Sequence, residues 1–225
     1  MSLLLHGIVR AGHPMAAGLR AVVADDLAVV VSDIGSAELT CEDARSHLDV
    51  LCGLLADGPV LPLRFGSTAP DEESVRDDAL HPNPVALRAE LDRVTGLVEV
   101  RVNLTFDETE VLGALVAEEP GLAAPVSGFD AAVEQGRRIE ARAKAWMAQR
   151  SRELLDGLAA DMVRLPNPDD DSQRWALLVR ADDLDRVAAA LDALSGPVTA
   201  SSLGPLPPYN FVSLPVRPVS RWGFG

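Results

Sequence analysis

Lysine and tyrosine are almost absent from this chain. Among its 225 residues, Lys144 is the single lysine and Tyr209 the single tyrosine, and aromatic residues make up only 4%. The 34 acidic residues outnumber the 20 basic ones, which gives a net charge of −14 at pH 7. A surface this acidic repels the phosphate backbone of nucleic acids. The sequence therefore predicts a protein without a nucleic-acid partner.

Long apolar runs and paired cysteines are missing too. No run approaches the roughly 20 apolar residues of a membrane helix, and the opening stretch MSLLLHGIVRAG lacks the basic segment of a signal peptide. We therefore expect a cytoplasmic protein that does not associate with membranes. Cys41 and Cys52 fall in one predicted helix, about 16 Å apart, which is too far for a disulfide. Both are interpreted as small buried hydrophobes.

Motifs of catalysis and metal binding are absent as well. The sequence contains no GxGxxG, GxxxxGK[ST] or GxSxG. Its four histidines are scattered without metal-ligand spacing, and His47 is interpreted as a helix-edge or hydrogen-bonded residue. The run Asp169–Asp171 lies in a predicted hairpin turn and lacks the glycine and distal glutamate of a calcium loop. We expect no catalytic residue, metal or cofactor.

Residues 1–96 predict an N-terminal α+β domain. The stretches LLLHGIV at 3–9, LRAVVA at 19–24 and LAVVVS at 27–32 are typical of strands. A helix is predicted over 40–57, capped by Thr40 and ended by Gly58-Pro59. The stretch VLPLRF at 60–65 predicts a further strand, and two short helices are expected near 71–80 and 83–95.

Residues 97–203 predict a second α+β domain. LVEVRVNLTF at 97–106 alternates apolar and polar residues, as a half-exposed strand does. Helices are expected at 108–118 and, as a long amphipathic helix, at 129–157. A hairpin, a helix and a final strand at 197–203 follow. The order strand, helices, strand, strand, helix, strand is that of a ferredoxin-like fold with extra helices after its first strand.

Arg64 stands in an unusual place, between Leu63 and Phe65 and directly before Gly66. An arginine is almost never buried without a partner, because an unpaired charge in an apolar site is very costly. Arg64 therefore either points out of the sheet or has a fixed acceptor. We predict the second arrangement, with at least two contacts to backbone carbonyls or a carboxylate near the domain junction.

The stretch GPLPPYNFV at 204–212 carries three prolines in its first five residues, and the whole segment 204–225 is predicted to be an extended tail. Prolines cannot join the middle of a sheet, and they hold a segment extended at low entropic cost. Tyr209 and Phe211 are the predicted anchors by which the tail docks on its own protein. A tail that serves as a ligand for another protein is the alternative.

The long predicted helix is locally basic in an acidic chain. Four of its cations form a possible docking face for an acidic partner: Arg137, Arg138, Arg142 and Lys144. The alternative is a solvated helix with pairs four residues apart, such as Glu134 with Arg138.

Three stretches resemble a known family. VLPLRFGS, preceded by a helix with His47, Val50 and Leu51, resembles the signature region of the GvpL/GvpF family of gas vesicle proteins. GPLPPYNFV is similar to the family's carboxy-terminal GP-x-PPY-x-F motif, and LLLHGIV is similar to its first strand. The resemblance covers nearly the whole chain.

The resemblance implies a non-enzymatic accessory protein of gas vesicle formation, cytoplasmic and vesicle-associated, and we expect a monomer when it is isolated. Its implied partners are the small hydrophobic shell protein GvpA or other accessory proteins. It also implies two α+β domains, the second a modified ferredoxin-like fold, with the tail packing between them. The family offers no catalytic residues to carry over. The residues given structural or interdomain roles are Arg64, Phe65, Gly66, Tyr209 and Phe211.

Two other classes of protein stay open on the sequence. A ferredoxin-like module that senses a small molecule would need a concave pocket with convergent polar groups. An enzyme would need a cluster of titratable groups with perturbed pKa values in a cleft. Fold alone decides neither.

Overall fold

A computed structural model of the chain describes residues 2–34, 39–167 and 172–213. The described residues form two compact units: those of 2–99 together with 205–213 form the first, and those of 100–204 form the second. The first unit is thus built from two separate stretches of sequence, and the second unit is an insertion between them.

The first unit contains a mixed set of long and short strands. Three long ones fall where the sequence predicts them, and two of two residues each follow: β1 Leu3–Arg10, β2 Arg20–Ala24, β3 Leu27–Asp33, β4 Leu61–Pro62 and β5 Thr68–Ala69. The sheet order is β2-β3-β1-β4, and β5 also pairs with β1. β1 runs antiparallel to β3, β4 and β5.

The helices of the first unit are α1 Cys41–Asp57, α2 Glu72–Val75 and α3 Pro84–Arg93, with a five-residue π-helical turn at Arg76–Leu80. Thr40 caps α1 as predicted: its Oγ1 accepts from the backbone N–H of Asp43 at 3.2 Å, and the Asp43 carboxylate accepts from the Thr40 N–H at 2.7 Å.

The prediction that both cysteines are buried is wrong. Cys41 is exposed and Cys52 is half-buried. Cys41 is the first residue of α1, where the helix starts at the protein surface, and Cys52 lies beside the buried stripe of α1 rather than within it. The buried residues of that helix are His47, Leu51 and Leu54.

Apolar side chains cover both faces of the first sheet, which explains why its central strands are apolar along their whole length. On one face α1 packs through Leu51 and Leu54 against Val9, Val30 and their neighbours. On the other face a larger core joins the sheet to the π-helical turn and α3 through side chains such as Leu80, Leu87 and Leu91.

The second unit contains four strands and three helices in the described residues. In chain order they are β6 Leu97–Phe106, α4 Glu108–Glu118, α5 Phe129–Leu155, β7 Asp161–Leu165, β8 Ser172–Arg180, α6 Leu184–Asp192 and β9 Val198–Leu206, with short 3-10 turns at Pro120–Ala123 and Ala181–Asp183. The sheet order is β7-β8-β6-β9. The fold class is therefore α+β, as predicted. The predicted turn at Asp169–Asp171 lies outside the described residues.

The final strand is longer than the sequence predicts. β9 continues through Gly204 and Pro205 to Leu206, three residues that the sequence predicts to be part of the tail. β9 is an edge strand, the position where a proline is tolerated in a sheet because one side of the strand has no ladder to complete. Residues 209–211 form a turn instead of the extended piece expected there.

Within residues 2–34, 39–167 and 172–213, no helix combines the length and the apolar character needed to cross a membrane.

Candidate functional site

Arg64 points into solvent. β4 ends at Pro62, so the predicted strand over 60–65 is only two residues long, and Arg64 is exposed directly after the buried Leu63. In the described part of the chain no hydrogen bond or ion pair holds its guanidinium. The predicted fixed acceptor is thus not found there, and the alternative, an arginine turned outward, is what the structure has.

The notable polar cluster of the first unit lies under α1 and contains two buried histidines. His6 is only 3% exposed and His47 only 2%. The pairing of β1 with β3 passes from Leu5–Val31 to Gly7–Val30, so His6 sits at a β-bulge. A bulge bends the strand and redirects a side chain. Here the redirected side chain meets His47 of α1, and the two rings stack with centroids 5.0 Å apart.

Hydrogen bonds run through the pair in one direction. His47 Nε2 lies 3.1 Å from the carbonyl oxygen of Leu63, which can only accept, so this nitrogen carries the proton. The bare Nδ1 of His47 then accepts from His6 Nδ1 at 3.1 Å. His6 Nε2 in turn accepts from the hydroxyl of Ser32 at 2.9 Å. Both rings are neutral in this chain of bonds.

Burial opposes a positive charge on either ring. It lowers the pKa of His6 to about 4, with a second contribution from His47. Burial also lowers the pKa of His47, although the bond to the Leu63 carbonyl acts in the opposite direction. The pair is therefore neutral at pH 7. A proton added to His47 Nδ1 would place its N–H against the N–H of His6 Nδ1.

A cavity of about 280 Å³ opens beside the pair. Besides the histidines, its polar lining comes from Ser32, Asp33, Asp43 and Ser46. The carboxylate of Asp33 accepts from Arg20 at 2.6 Å, and that of Asp43 belongs to the cap of α1. Both acids thus already have partners within the protein.

Residues 205–213, here called the strap, return to this cluster. Leu206, Pro207 and Pro208 are buried, while Tyr209 and Phe211 are half-buried. The hydroxyl of Tyr209 lies 3.2 Å from His47 Nε2, where it shares the proton donated to Leu63.

The next two strap residues have equally specific partners. Glu99, whose residue is fully buried, accepts from the Asn210 backbone N–H at 2.9 Å and from its side-chain Nδ2 at 2.7 Å. Arg93 donates to the carbonyl oxygen of Phe211 at 2.5 Å. Three consecutive strap residues are therefore held by three side chains, His47, Glu99 and Arg93, which we call the seat.

Part of this site is predictable from the sequence. Tyr209 and Phe211 are predicted anchors, and two further predicted residues lie close by: the ring of Phe65 meets the His47 ring edge-on at 5.5 Å, and Gly66 has a φ of +84°, which suits glycine.

Four residues of the site are not among those predicted: His6, Arg93, Glu99 and Asn210. A signal for two of them did exist. His6 interrupts an otherwise apolar strand, and Glu99 lies in a strand whose apolar neighbours predict a core position, where a glutamate is unusual.

The four cations of α5 do not form one face. Arg142 pairs with Glu119, Lys144 donates to Glu140 at 2.7 Å, and Arg137 lies 3.9 Å from Glu134. The expected pair of Glu134 with Arg138 is replaced by the pair with Arg137. At about 100° per residue, Arg138 projects from the side of the helix opposite to Phe129.

Replacing His6 by glutamine should flatten the acid side of the stability curve. The pKa of His6 is lowered from 6.5 to about 4 on folding, so the unfolded chain binds this proton more tightly than the folded chain. The neutral His6 therefore stabilises the folded protein fully above pH 6.5, and this stabilisation is lost as the pH falls toward 4. We expect His6→Gln to remove a pH-dependent share of about 3 kcal/mol from the free energy of unfolding over that range. Urea unfolding of both proteins, followed by circular dichroism at several pH values, measures it.

His81→Gln is the matched control, because His81 is exposed directly after the π-helical turn and its side chain contacts the carboxylate of Asp77 at 3.1 Å. At pH 7 this variant should differ from the original protein by no more than about 0.5 kcal/mol in the free energy of unfolding, as is usual for substitutions at exposed positions. Parallel curves for His6→Gln would contradict the assignment.

Comparison with known proteins gives concordant matches. The family model "Gas vesicle synthesis protein GvpL/GvpF" matches residues 4–213. "Gas vesicle protein F" of Streptomyces sp. (strain CB03234) is 29% identical, over 94% of this chain and 100% of that protein. The matched family is a family of gas vesicle proteins, not one of enzymes.

Two crystal structures share the fold. GvpF from Microcystis aeruginosa superposes with a TM-score of 0.73 at 21% identity, covering 95% of this chain and 99% of the other. GvpF from Anabaena sp. PCC7120 gives a TM-score of 0.78 at 19% identity, covering 95% and 96%. The family match includes the histidine pair, the seat and the strap.

Proposed function

Because this chain belongs to the GvpL/GvpF family of gas vesicle synthesis proteins, we propose that it is a non-enzymatic accessory protein that acts by binding another vesicle component. Family membership supports a role in gas vesicle formation. The finer proposal is that the partner is the small hydrophobic shell protein or another accessory protein, met in the cytoplasm.

An apolar stripe on α5 carries this proposal. Phe129 is 82% exposed and Val133 is 38% exposed, although both are large apolar residues. Exposed apolar surface of this kind marks interaction sites. Toward the middle of the helix the same side of α5 borders a groove of about 300 Å³, whose apolar lining comes from Phe106, Val111, Leu112, Ile139, Ala143 and Met147.

Two of the predicted cations follow the stripe. Arg137 lies four residues after Val133, on the same side of the helix, and Lys144 lines the groove itself. They place positive charge at one flank of an apolar surface, which suits a partner whose apolar helix carries acidic side chains. We propose Arg137 and Lys144 as the electrostatic part of the surface, with Arg138 and Arg142 outside it.

The absence of catalysis is part of the proposal. The histidine pair and its cavity are the cluster that an enzyme would need, but each of the four ring nitrogens lies within 3.2 Å of another protein atom. A small-molecule sensor is the second candidate, and the cavity of about 280 Å³ beside the pair, which is mainly apolar with a few polar side chains, favours it.

The second unit is proposed to be a modified ferredoxin-like fold. Its strand order, β7-β8-β6-β9, places the first and third strands of the unit in the centre and the second and fourth at the edges. That order, with a helix before β7 and another before β9, supports the assignment. The packing of the tail against this unit as well as the first stays a prediction.

Replacing Phe129 and Val133 together by serine should weaken recovery of the shell protein on the tagged chain by about tenfold or more. Both side chains are exposed enough for the fold to tolerate serine. Val85→Ser is the matched control, because Val85 is 75% exposed on α3 in the other unit. Co-purification from cells that make the vesicle components measures the effect.

The salt dependence of this recovery distinguishes the apolar part of the surface from its electrostatic part. Arg137→Gln with Lys144→Gln should reduce recovery at low salt and matter little at high salt, because exposed charges are screened. If the Phe129 and Val133 variant is folded and still recovers the shell protein fully at both salt concentrations, the stripe is not the binding surface.

A further inference from the structure

We infer that the seat is a recognition site for the strap of a second copy of this chain, so that two copies can exchange straps. This goes beyond the proposed role in vesicle formation, because it concerns the chain's association with itself. The surface involved is the contact between the seat residues His47, Glu99 and Arg93 and the strap residues Tyr209–Phe211.

The seat is specific for the hydrogen-bonding groups of the strap as well as for its shape. His47 meets a hydroxyl, Arg93 meets a backbone carbonyl, and Glu99 accepts two N–H donors from one residue, Asn210. The bonds of Arg93 and Glu99 are charge-assisted and therefore stronger than bonds between neutral groups. A segment with tyrosine, asparagine and phenylalanine in this order, in the same turn, satisfies all three side chains at once.

Glu99 makes an empty seat unfavourable. Its residue is fully buried when the strap is in place, and both carboxylate oxygens accept a hydrogen bond from Asn210. Removing these two donors destabilises the protein, because the loss of hydrogen bonds costs a buried charged group more free energy than it costs an exposed one. A chain whose own strap is displaced therefore gains by accepting the strap of another copy.

The identity of the occupant follows from an interface that already exists. The contact is formed within one chain, and exchanging an identical element between copies reuses it without new chemistry. The strap also starts at a change of unit, since the chain leaves the second unit at Gly204 and enters the first at Pro205. Pro207 and Pro208 follow the end of β9 at Leu206 and stiffen the segment that carries Tyr209–Phe211, so these residues can leave and dock as one piece.

The intact protein should still be mainly monomeric at micromolar concentration. A strap tethered to its own seat competes at an effective concentration in the millimolar range. Exchange becomes favourable when the strap of each chain binds its own seat weakly but binds the seat of the other chain well. Two variants of the full chain create this situation.

Asn210→Asp places a carboxylate against Glu99 and loosens the strap of that chain. Glu99→Gln loses one acceptor oxygen and loosens its own strap as well. When the two variants are mixed, the intact Asn210 of one chain meets the intact Glu99 of the other. In the reciprocal contact, the amide introduced at position 99 can donate to the carboxylate introduced at position 210. Each contact is therefore complementary only between chains.

The test is sedimentation of the two full-length variants, alone and mixed in equal amounts at about 100 µM, where exchange can compete with the weakened tethered contact. We expect a dimer fraction in the mixture at least about fivefold above that of either variant alone. The chain that carries both substitutions repairs the contact within itself and should sediment as a monomer, which also shows that the two substitutions are compatible with folding.

Equal, monomeric sedimentation of the mixture and the separate variants would overturn the inference. If one variant does not fold, the original protein is studied in a concentration series up to about 1 mM. Any dimer found there should be dissociated by an excess of the peptide of residues 204–213 and not by the same peptide with aspartate at position 210. A dimer indifferent to both peptides, or no dimer at all, counts against strap exchange. No vesicle component enters the experiment, so its failure would leave the proposed function untouched.

Discussion

Asn210→Asp is expected to lower the free energy of unfolding by about 3 kcal/mol, the range found when a buried charged group loses its partner. Nδ2 of Asn210 donates to Glu99 at 2.7 Å, and the new carboxylate would bring a second negative charge to that distance from a buried acid. Like charges so close together disfavour one another strongly. Chemical denaturation followed by circular dichroism measures the change.

A second substitution should reverse most of this loss. In the chain with both Glu99→Gln and Asn210→Asp, the new amide at position 99 can donate to the new carboxylate at position 210, so the bond is remade with its direction inverted. Ser213→Asp serves as the matched control, because Ser213 is an exposed residue at the end of the strap. Equal losses for Asn210→Asp and Ser213→Asp would show that the strap contributes no more than net charge.

Gly7→Ala should destabilise the first unit by about 2 kcal/mol or more, within the range for overfilling a packed core. A Cβ at Gly7 would lie 2.8 Å from Val60 Cγ2, 2.9 Å from Leu51 Cδ2 and 3.1 Å from the carbonyl oxygen of Leu61. The first two neighbours are core side chains and the third is backbone, so α1 and β4 would have to move away from β1. Thermal or urea unfolding detects the loss.

The matched control, Gly53→Ala, should change the stability in the opposite direction. Gly53 lies within α1, and a Cβ there would meet no atom within 4 Å. Gly53→Ala should therefore stabilise the protein by about 0.5–1 kcal/mol through the better helix propensity of alanine. If Gly7→Ala is also neutral or stabilising, the close approach of α1 to β1 is not a constraint on the fold.

Local patterns predicted most elements of the fold because they depend on neighbours in sequence. Thr40 and Asp43 define the start of α1, and the predicted helix over 129–157 agrees with α5 at its start and extends only slightly beyond Leu155 at its end. The strand predicted over 60–65 is longer than β4 for the same reason. Its composition is that of a strand, but pairing with β1 stops at Pro62.

The site could be predicted only in part, because it depends on contacts across long stretches of sequence. His6 and His47 are brought together by a bulge in β1, and Gly7, the local signal for it in LLLHGIV, indicates a bulge and a close backbone approach equally well. Glu99 and Asn210 are 111 residues apart in sequence, and no local pattern connects them. The prediction for Arg64 rests on the apolar residues on either side of it, whereas in the described residues the chain turns there and gives the side chain access to solvent.

The division of the first unit into two stretches affects the order in which the protein is completed on the ribosome. Domains generally fold as units during synthesis, the N-terminal one first. Here residues 1–99 emerge first but lack the strap, whereas residues 100–204 form a contiguous unit that is complete before the strap appears. The unit that is begun first is thus finished last. Until residues 205–213 leave the exit tunnel, Glu99 has no Asn210 to meet, and the nascent chain presents an open seat.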